Sequence, residues 1–199
     1  PGVLEAFRLI GSEQIQGRAS LGGNICNGSP AGDSVPALIA AGCIALIAGP
    51  NGKREIPIEE FHIGPGKTVL DNGEMLVSLK FPKRETNSSD AYLRMTPRTE
   101  MDIAVVGCGV NITFENNVCT AARVSLGAVA PTPLLIKEAS KIMVGSDLNS
   151  EILDKVSKIC MGLCDPIDDK RGTIDYRTKV AGVLFKRATL TTIDRIKGN

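Results

Sequence analysis

Residues 103–129 read IAVVGCGVNITFENNVCTAARVSLGAV, and the class of fold turns on them. Apolar and polar side chains alternate along 103–114 and again along 119–129, the two-residue period of half-buried strands. Between the runs stands Glu115-Asn116-Asn117. Asparagine tolerates the left-handed backbone of a tight hairpin turn, so the stretch predicts an antiparallel hairpin. Downstream of the hairpin the spacing is helical. Leu135, Ala139, Ile142 and Met143 form one apolar stripe. Ile152, Val156, Ile159, Cys160 and Leu163 form a second, ended near Pro166, and Tyr176, Val180, Val183, Leu184 and Ala188 form a third.

Upstream, residues 2–10 read as a short amphipathic helix stopped by Gly11. Residues 11–33 are polar and glycine-rich, the composition of a long loop, and long loops in compact domains are usually functional. Residues 34–41 have helical composition, with Asp33 or Ser34 as N-cap and Pro36 in the first turn. Residues 43–48 and 54–58 read as strands joined by the Pro50-Asn51-Gly52 turn. Residues 75–81 alternate, with Met75, Val77, Leu79 and Phe81 on one face and Leu76, Ser78 and Lys80 on the other. Leu76 is then an apolar side chain on the polar face. The charged, Ser/Asn-rich stretch 82–90 (PKRETNSSD) is the best domain boundary. Strands followed by helices, with no alternating βαβ, predict an α+β fold.

The 199 residues allow one domain or two small ones, and the net charge of +1 gives no reason to expect nucleic acid as a main ligand. Apolar residues at 43% and charged residues at 23% exclude disorder for most of the chain. Aromatics at 4% and the lack of Trp argue against an aromatic-lined sugar or base-stacking groove. The cysteines (26, 43, 108, 119, 160 and 164) form no C-x-x-C pair. With one histidine, His62, a zinc site would have to be nearly all thiolate, so no metal ligand is assigned. The cysteines read as buried, reduced thiols, consistent with a cytoplasmic location. The longest apolar stretch, 35–49, is broken by Pro36 and Gly42 and is too short for a bilayer. The sequence opens at Pro1 inside an amphipathic pattern, and reads as the C-terminal part of a longer protein.

Two motifs dissolve on inspection. Gly64-Pro65-Gly66-Lys67-Thr68 has Phe61 where a phosphate loop needs its first glycine, and no helix follows; it reads as a turn with an exposed lysine. Gly107-Cys108-Gly109 has Ile112 where a dinucleotide fingerprint needs its third glycine, and reads as a strand approached closely by other backbone. His62 has no nucleophile elbow to serve and reads as a loop-exposed histidine.

The segment 19–34, ASLGGNICNGSPAGDS, is different. Gly22-Gly23 lets backbone approach a ligand. Ser20, Asn24, Asn27 and Ser29 supply neutral donors and acceptors, and Asp33 supplies one carboxylate before a helix. No strong acid, base or nucleophile is present. Such a loop suits holding a large neutral-to-anionic cofactor, and by composition alone it equally suits an ordinary Gly/Ser loop.

Residues 9–41 resemble the second FAD-binding segment of the flavin-carrying medium subunit of molybdenum hydroxylases, the family of carbon monoxide, xanthine and nicotinate dehydrogenases. Further matches are Gly64-Pro65-Gly66-Lys67-Thr68, Glu74-Met75-Leu76-Val77, Tyr92-Leu93-Arg94-Met95-Thr96-Pro97-Arg98 with Asp102-Ile103-Ala104, and Arg171-Gly172-Thr173 with Asp175-Tyr176-Arg177 and Val180-Ala181-Gly182-Val183-Leu184. The resemblance covers nearly the whole chain, in order. It implies the second subdomain of a two-subdomain FAD-binding domain, a mixed sheet with helices, over residues 1–86, with the first subdomain missing. Residues 87–199 would form the flavoprotein C-terminal domain, a small antiparallel sheet packed on about three helices.

By position, the resemblance puts Ser20, Gly22, Gly23 and Asn24 on the pyrophosphate and ribityl region of FAD. Asn27 and Asp33 complete the polar contacts, Leu76 lies on the isoalloxazine ring, and Arg94 stands where a basic residue neighbours that ring. Asn24 would reach the ligand from a loop without structural duty of its own. The implied function is an FAD electron-transfer subunit with no catalytic acid or base. Electrons would come from a molybdenum cofactor on a large partner subunit through two [2Fe–2S] clusters on a small one, and leave to NAD, a quinone or oxygen. Two alternatives stay open: a stand-alone FAD oxidoreductase of the vanillyl-alcohol-oxidase type, and a flavin-free assembly module.

Overall fold

The 103–129 segment forms the centre of the molecule. In the computed structural model, which describes residues 1–99 and 101–198, β7 (Val106–Glu115) and β8 (Val118–Gly127) pair antiparallel across a turn in which Asn116 and Asn117 take φ of 50° and 64°. Two left-handed residues in succession match the turn to the twist of the strands. β6 (Ser88–Met95) adds on one side and the short β9 (Leu134–Leu135) on the other, giving the order β6-β7-β8-β9.

The helices α5 (Lys137–Met143), α6 (Ser150–Gly162) and α7 (Ile174–Lys197) come after the sheet. Asn149 and Thr173 cap α6 and α7 by accepting from the amides of Ile152 and Tyr176, the usual closure of a helix start. Every second residue of β7 (Val106, Cys108, Val110 and Ile112) faces these helices, and the core is built with Val124, Leu126, Val156, Cys160, Ala181, Phe185 and Ala188. The expected sheet on three helices is present. Cys160 is fully buried and Cys164 half-buried, whereas Cys26 departs from the buried position expected and is exposed; all six cysteines are free.

The other face of the sheet receives the N-terminal half. That half runs α1 (Gly2–Arg8), α2 (Glu13–Gln16), α3 (Leu21–Cys26), α4 (Ser34–Ala40), β1 (Ile44–Gly49), β2 (Gly52–Pro57), a 3-10 turn (Ile58–Glu60), β3 (His62–Gly64), β4 (Lys67–Thr68) and β5 (Met75–Lys80). β2-β1-β5 form a three-stranded sheet, and all ladders among the described residues are antiparallel. α4 lies across β7 and β8 because glycine leaves room. A Cβ on Gly109 would fall 2.6 Å from the Pro36 carbonyl oxygen, and one on Gly127 2.6 Å from Pro36 Cγ. The Ser125 hydroxyl donates to the same carbonyl. The reading of Gly107-Cys108-Gly109 as a strand under close approach holds.

Two readings are corrected. The 11–33 stretch is not one loop: it contains α2 and α3. Ser20 starts α3 by accepting from the Gly23 amide at 3.0 Å, and Ile25 pins the helix in the core. The faces of β5 are also regrouped. Leu76 and Leu79 pack on the core, while Met75, Val77 and Phe81 are exposed. The cause is a bulge. Leu46 opposes Ser78 but Ile47 opposes Leu76, so Val77 is an extra residue that puts Leu76 and Leu79 on one side. Among the described residues no helix is long and apolar enough to cross a membrane.

Candidate functional site

The segment 19–34 folds as α3, a tight connection, and the start of α4. Ser20, Gly23 and Asn27 are exposed on α3, and Gly22 and Asn24 are half-buried. A Cβ on Gly22 would meet only Leu76 Cδ2, at 4.0 Å, so Leu76 forms an apolar wall beside the glycine pair. Asn24 is tied into the fold more firmly than a free loop residue: its Oδ1 accepts from the fully buried Ser34 hydroxyl at 2.6 Å. Its amide NH2 has no protein partner among the described residues and is left to donate. Sequence reasoning missed Ser34 because nothing local distinguishes it from any first-turn serine.

Asp33 precedes α4 but does not cap it. Its carboxylate turns to β6, where Tyr92 Oη donates to Oδ1 at 3.0 Å and Arg94 Nη1 donates to Oδ2 at 2.8 Å. Arg94 Nη1 also donates to the Leu9 carbonyl at 2.8 Å. Burial pushes the Asp33 carboxyl up, and the Arg94 charge with the two hydrogen bonds pulls it back. Burial, with Asp33 beside it, drives the Tyr92 phenol well above its ordinary value, so the phenol stays protonated and donates. Tyr92 heads the matched stretch 92–98, but its role depends on a partner 59 residues away.

Two contacts join predicted residues directly, Leu76 beside Gly22 and Asp33 to Arg94, and two run to residues not predicted, Asn24 to Ser34 and Arg94 to the Leu9 carbonyl. Two neighbouring cavities flank the chain of contacts. One, of about 270 Å³ and mostly apolar, is lined by Leu4, Phe7, Ile10, Ala19, Ser20 and Leu21. The other, of about 610 Å³ and polar, reaches Ser12, Thr99 and Arg94. Arg8 and Gln16 line both. Neutral donors, missing side chains at Gly22 and Gly23, an apolar wall and the buried Asp33–Arg94 pair suit a long amphipathic cofactor.

His62 departs from the exposed position expected of it. It is buried, with Nε2 2.7 Å from the Ile25 carbonyl at the end of α3, and burial holds its pKa below the ordinary value. The bond joins β3 to α3 across 37 residues of chain, a pairing the sequence does not disclose.

Residues 91–192 match the family described as the CO dehydrogenase flavoprotein C-terminal domain, and residues 1–84 the FAD binding domain in molybdopterin dehydrogenase. A carbon monoxide dehydrogenase medium chain from Afipia carboxidovorans is 34% identical over 189 residues, covering 94% of this chain and 65% of the relative. A putative xanthine dehydrogenase FAD-binding subunit from Escherichia coli is 30% identical over 188 residues, covering 94% of this chain and 64% of its own length. The chain thus spans just under two thirds of these relatives. A solved carbon monoxide dehydrogenase from Hydrogenophaga pseudoflava superimposes with a TM-score of 0.94 at 31% identity, covering 98% of this chain and 68% of the solved one. With both halves matched in order and the fold shared from end to end, this chain belongs to the CO dehydrogenase flavoprotein family, with the FAD binding domain of molybdopterin dehydrogenases at its N-terminal side.

Proposed function

We propose that this chain is the FAD-carrying, electron-transferring part of a molybdenum hydroxylase. FAD, when bound, supplies the redox chemistry; the protein binds, orients and tunes it. Ser20, Gly22, Gly23 and Asn24 hold the pyrophosphate and ribityl region, Asn27 adds a polar contact, and Leu76 packs on the ring. Arg94 brings a cation to the ring side, and Asp33 fixes that cation's position while partly offsetting its charge. Residues 1–86 form the cofactor subdomain and residues 87–199 the C-terminal domain.

The partners in this reading are a large subunit with the molybdenum cofactor and a small one with [2Fe–2S] clusters. The acceptor is NAD, a quinone or oxygen, and the location is the cytoplasm, which six free thiols suit. The observation that carries the reading is the placement of Gly22, Leu76, Asn24 and the Asp33–Arg94 pair along one run of contacts, in a chain whose relatives are named as medium and FAD-binding subunits.

FAD titration of an Asn24→Ala variant in the full-length subunit tests it. Loss of the Asn24 amide leaves a cofactor group unpaired, which costs about 1–3 kcal/mol, or roughly ten- to hundredfold in affinity. Ser34→Ala is the control: it removes the Asn24–Ser34 hydrogen bond and keeps the amide. An Asn24→Ala subunit that binds FAD as tightly as wild type refutes the site.

A further inference from the structure

His62 and the Gly64-Pro65-Gly66-Lys67-Thr68 turn stand outside the run of contacts from Leu76 to Arg94, yet both bear on α3. This helix is weak by itself. It has six residues, two of them glycine, the poorest helix former after proline. Ser20 secures its start. Its end is secured by β3 and β4, which form a hairpin around Gly66.

Two hydrogen bonds make that junction. His62 Nε2 lies 2.7 Å from the Ile25 carbonyl oxygen. A carbonyl only accepts, so the ring carries its proton on Nε2 and donates it. Nδ1 is then bare, buried and without a partner among the described residues. On the far side of the turn, the Gly66 amide donates to the Gly28 carbonyl at 2.9 Å. Gly28 has φ of +65°, and a Cβ there would fall 2.9 Å from the Lys67 nitrogen. The hairpin backbone thus rests directly on Gly28, the residue after the Asn27 C-cap of α3. The hairpin is itself anchored: Phe61 is fully buried and meets the His62 ring edge-on at a centroid distance of 5.7 Å, and its carbonyl accepts from the Val69 amide at 3.0 Å.

We propose that the β3–β4 hairpin is a clamp that sets the position of α3, and that His62 is the positioning residue through which it holds the flavin-binding face. This rests on the reading that α3 carries FAD. His62 acts through the Ile25 carbonyl. With the bond gone, the last turn of a glycine-rich helix frays, and FAD binding has to reorder it, which lowers apparent affinity by the fraction of ordered protein.

The test is FAD affinity by flavin-fluorescence titration of the full-length subunit, with apoprotein melting alongside. His62→Leu is expected to bind FAD about tenfold more weakly, the effect of one lost hydrogen bond. Its apoprotein should melt close to wild type. His62→Gln, whose amide can donate to the same carbonyl, should restore most of the affinity. Gly28→Ala, which pushes the hairpin off α3, should lose FAD as His62→Leu does, and the double variant should lose less than the product of the two.

Wild-type FAD affinity in His62→Leu, with weakened binding in Asn24→Ala, overturns the clamp and leaves the site reading standing. Unchanged affinity in both overturns the site reading. A His62→Gln variant no better than His62→Leu assigns the residue to packing and also overturns the clamp. If His62→Leu does not fold, the other two decide. Retained affinity in His62→Gln with weak binding in Gly28→Ala supports the clamp, and wild-type affinity in Gly28→Ala overturns it.

Discussion

Asp33 and Arg94 are 61 residues apart in the chain and joined by a 2.8 Å ion pair whose side chains are 10% and 5% exposed. The pair ties the start of α4 to β6, and so fastens the N-terminal half to the C-terminal sheet. Tyr92 Oη donates to the other Asp33 carboxylate oxygen, and Arg94 Nη1 also donates to the Leu9 carbonyl. Breaking one side of a buried pair leaves the other charge uncompensated.

Arg94→Ala should therefore destabilise the protein by about 3 kcal/mol, read from urea melts. The loss should be smaller in an Asp33→Asn background, because no charge is then stranded. The Asp33 carboxyl, raised by burial, should rise further without Arg94, the largest opposing influence, and a carboxyl NMR titration reads that shift directly.

Acid should weaken the fold through His62. Its pKa is held below 6.5, mainly by burial, so the unfolded chain takes a proton before the folded one does. Stability is unaffected by this group above the unfolded value. It falls as pH drops through about 6.5 and levels off below the folded pKa, with a slope no steeper than about 1.4 kcal/mol per pH unit for one proton. Urea midpoints between pH 8 and pH 5 check this, and His62→Gln should flatten the curve in that window.

Gly109→Ala should cost about 1–3 kcal/mol, the usual range for overpacking, because the new methyl meets the Pro36 carbonyl of α4 at 2.6 Å and Ser125 Oγ at 2.8 Å. Gly162→Ala, at the end of α6 with nothing within 4 Å, should instead stabilise by about 0.5 kcal/mol. Denaturant midpoints of the two variants should move in opposite directions.

Thiol labelling of the native protein should give one fast site, Cys26, the exposed cysteine. Burial pushes Cys160 up to about 12 and Cys164 and Cys119 up to about 11, so little thiolate forms at neutral pH and access is poor. Mass mapping after brief exposure to a thiol reagent distinguishes this from rapid labelling at Cys160 or Cys164, which would contradict the packing of α6.

What the sequence determined by itself was local period and chain order. The 103–129 hairpin, the presence of α5, α6 and α7, the Pro50-Asn51-Gly52 turn and the α+β class were legible, because a strand's two-residue repeat and a helix's 3.6-residue repeat are written into neighbouring side chains; within the expected stripes, Leu163, Tyr176 and Val183 are exposed and Leu135 lies in β9. Motif resemblance likewise picked out Ser20, Gly22, Gly23, Asn24, Asp33, Leu76 and Arg94 as a set. Only the tertiary structure decided which faces and partners these residues take. One bulged residue, Val77, turned Leu76 toward the core, since a one-residue shift in a ladder exchanges the faces of a strand. The bonds from Asp33 to Arg94, Asn24 to Ser34 and His62 to Ile25 join distant segments, and a polar side chain carries no local mark of the partner that burial will require it to find.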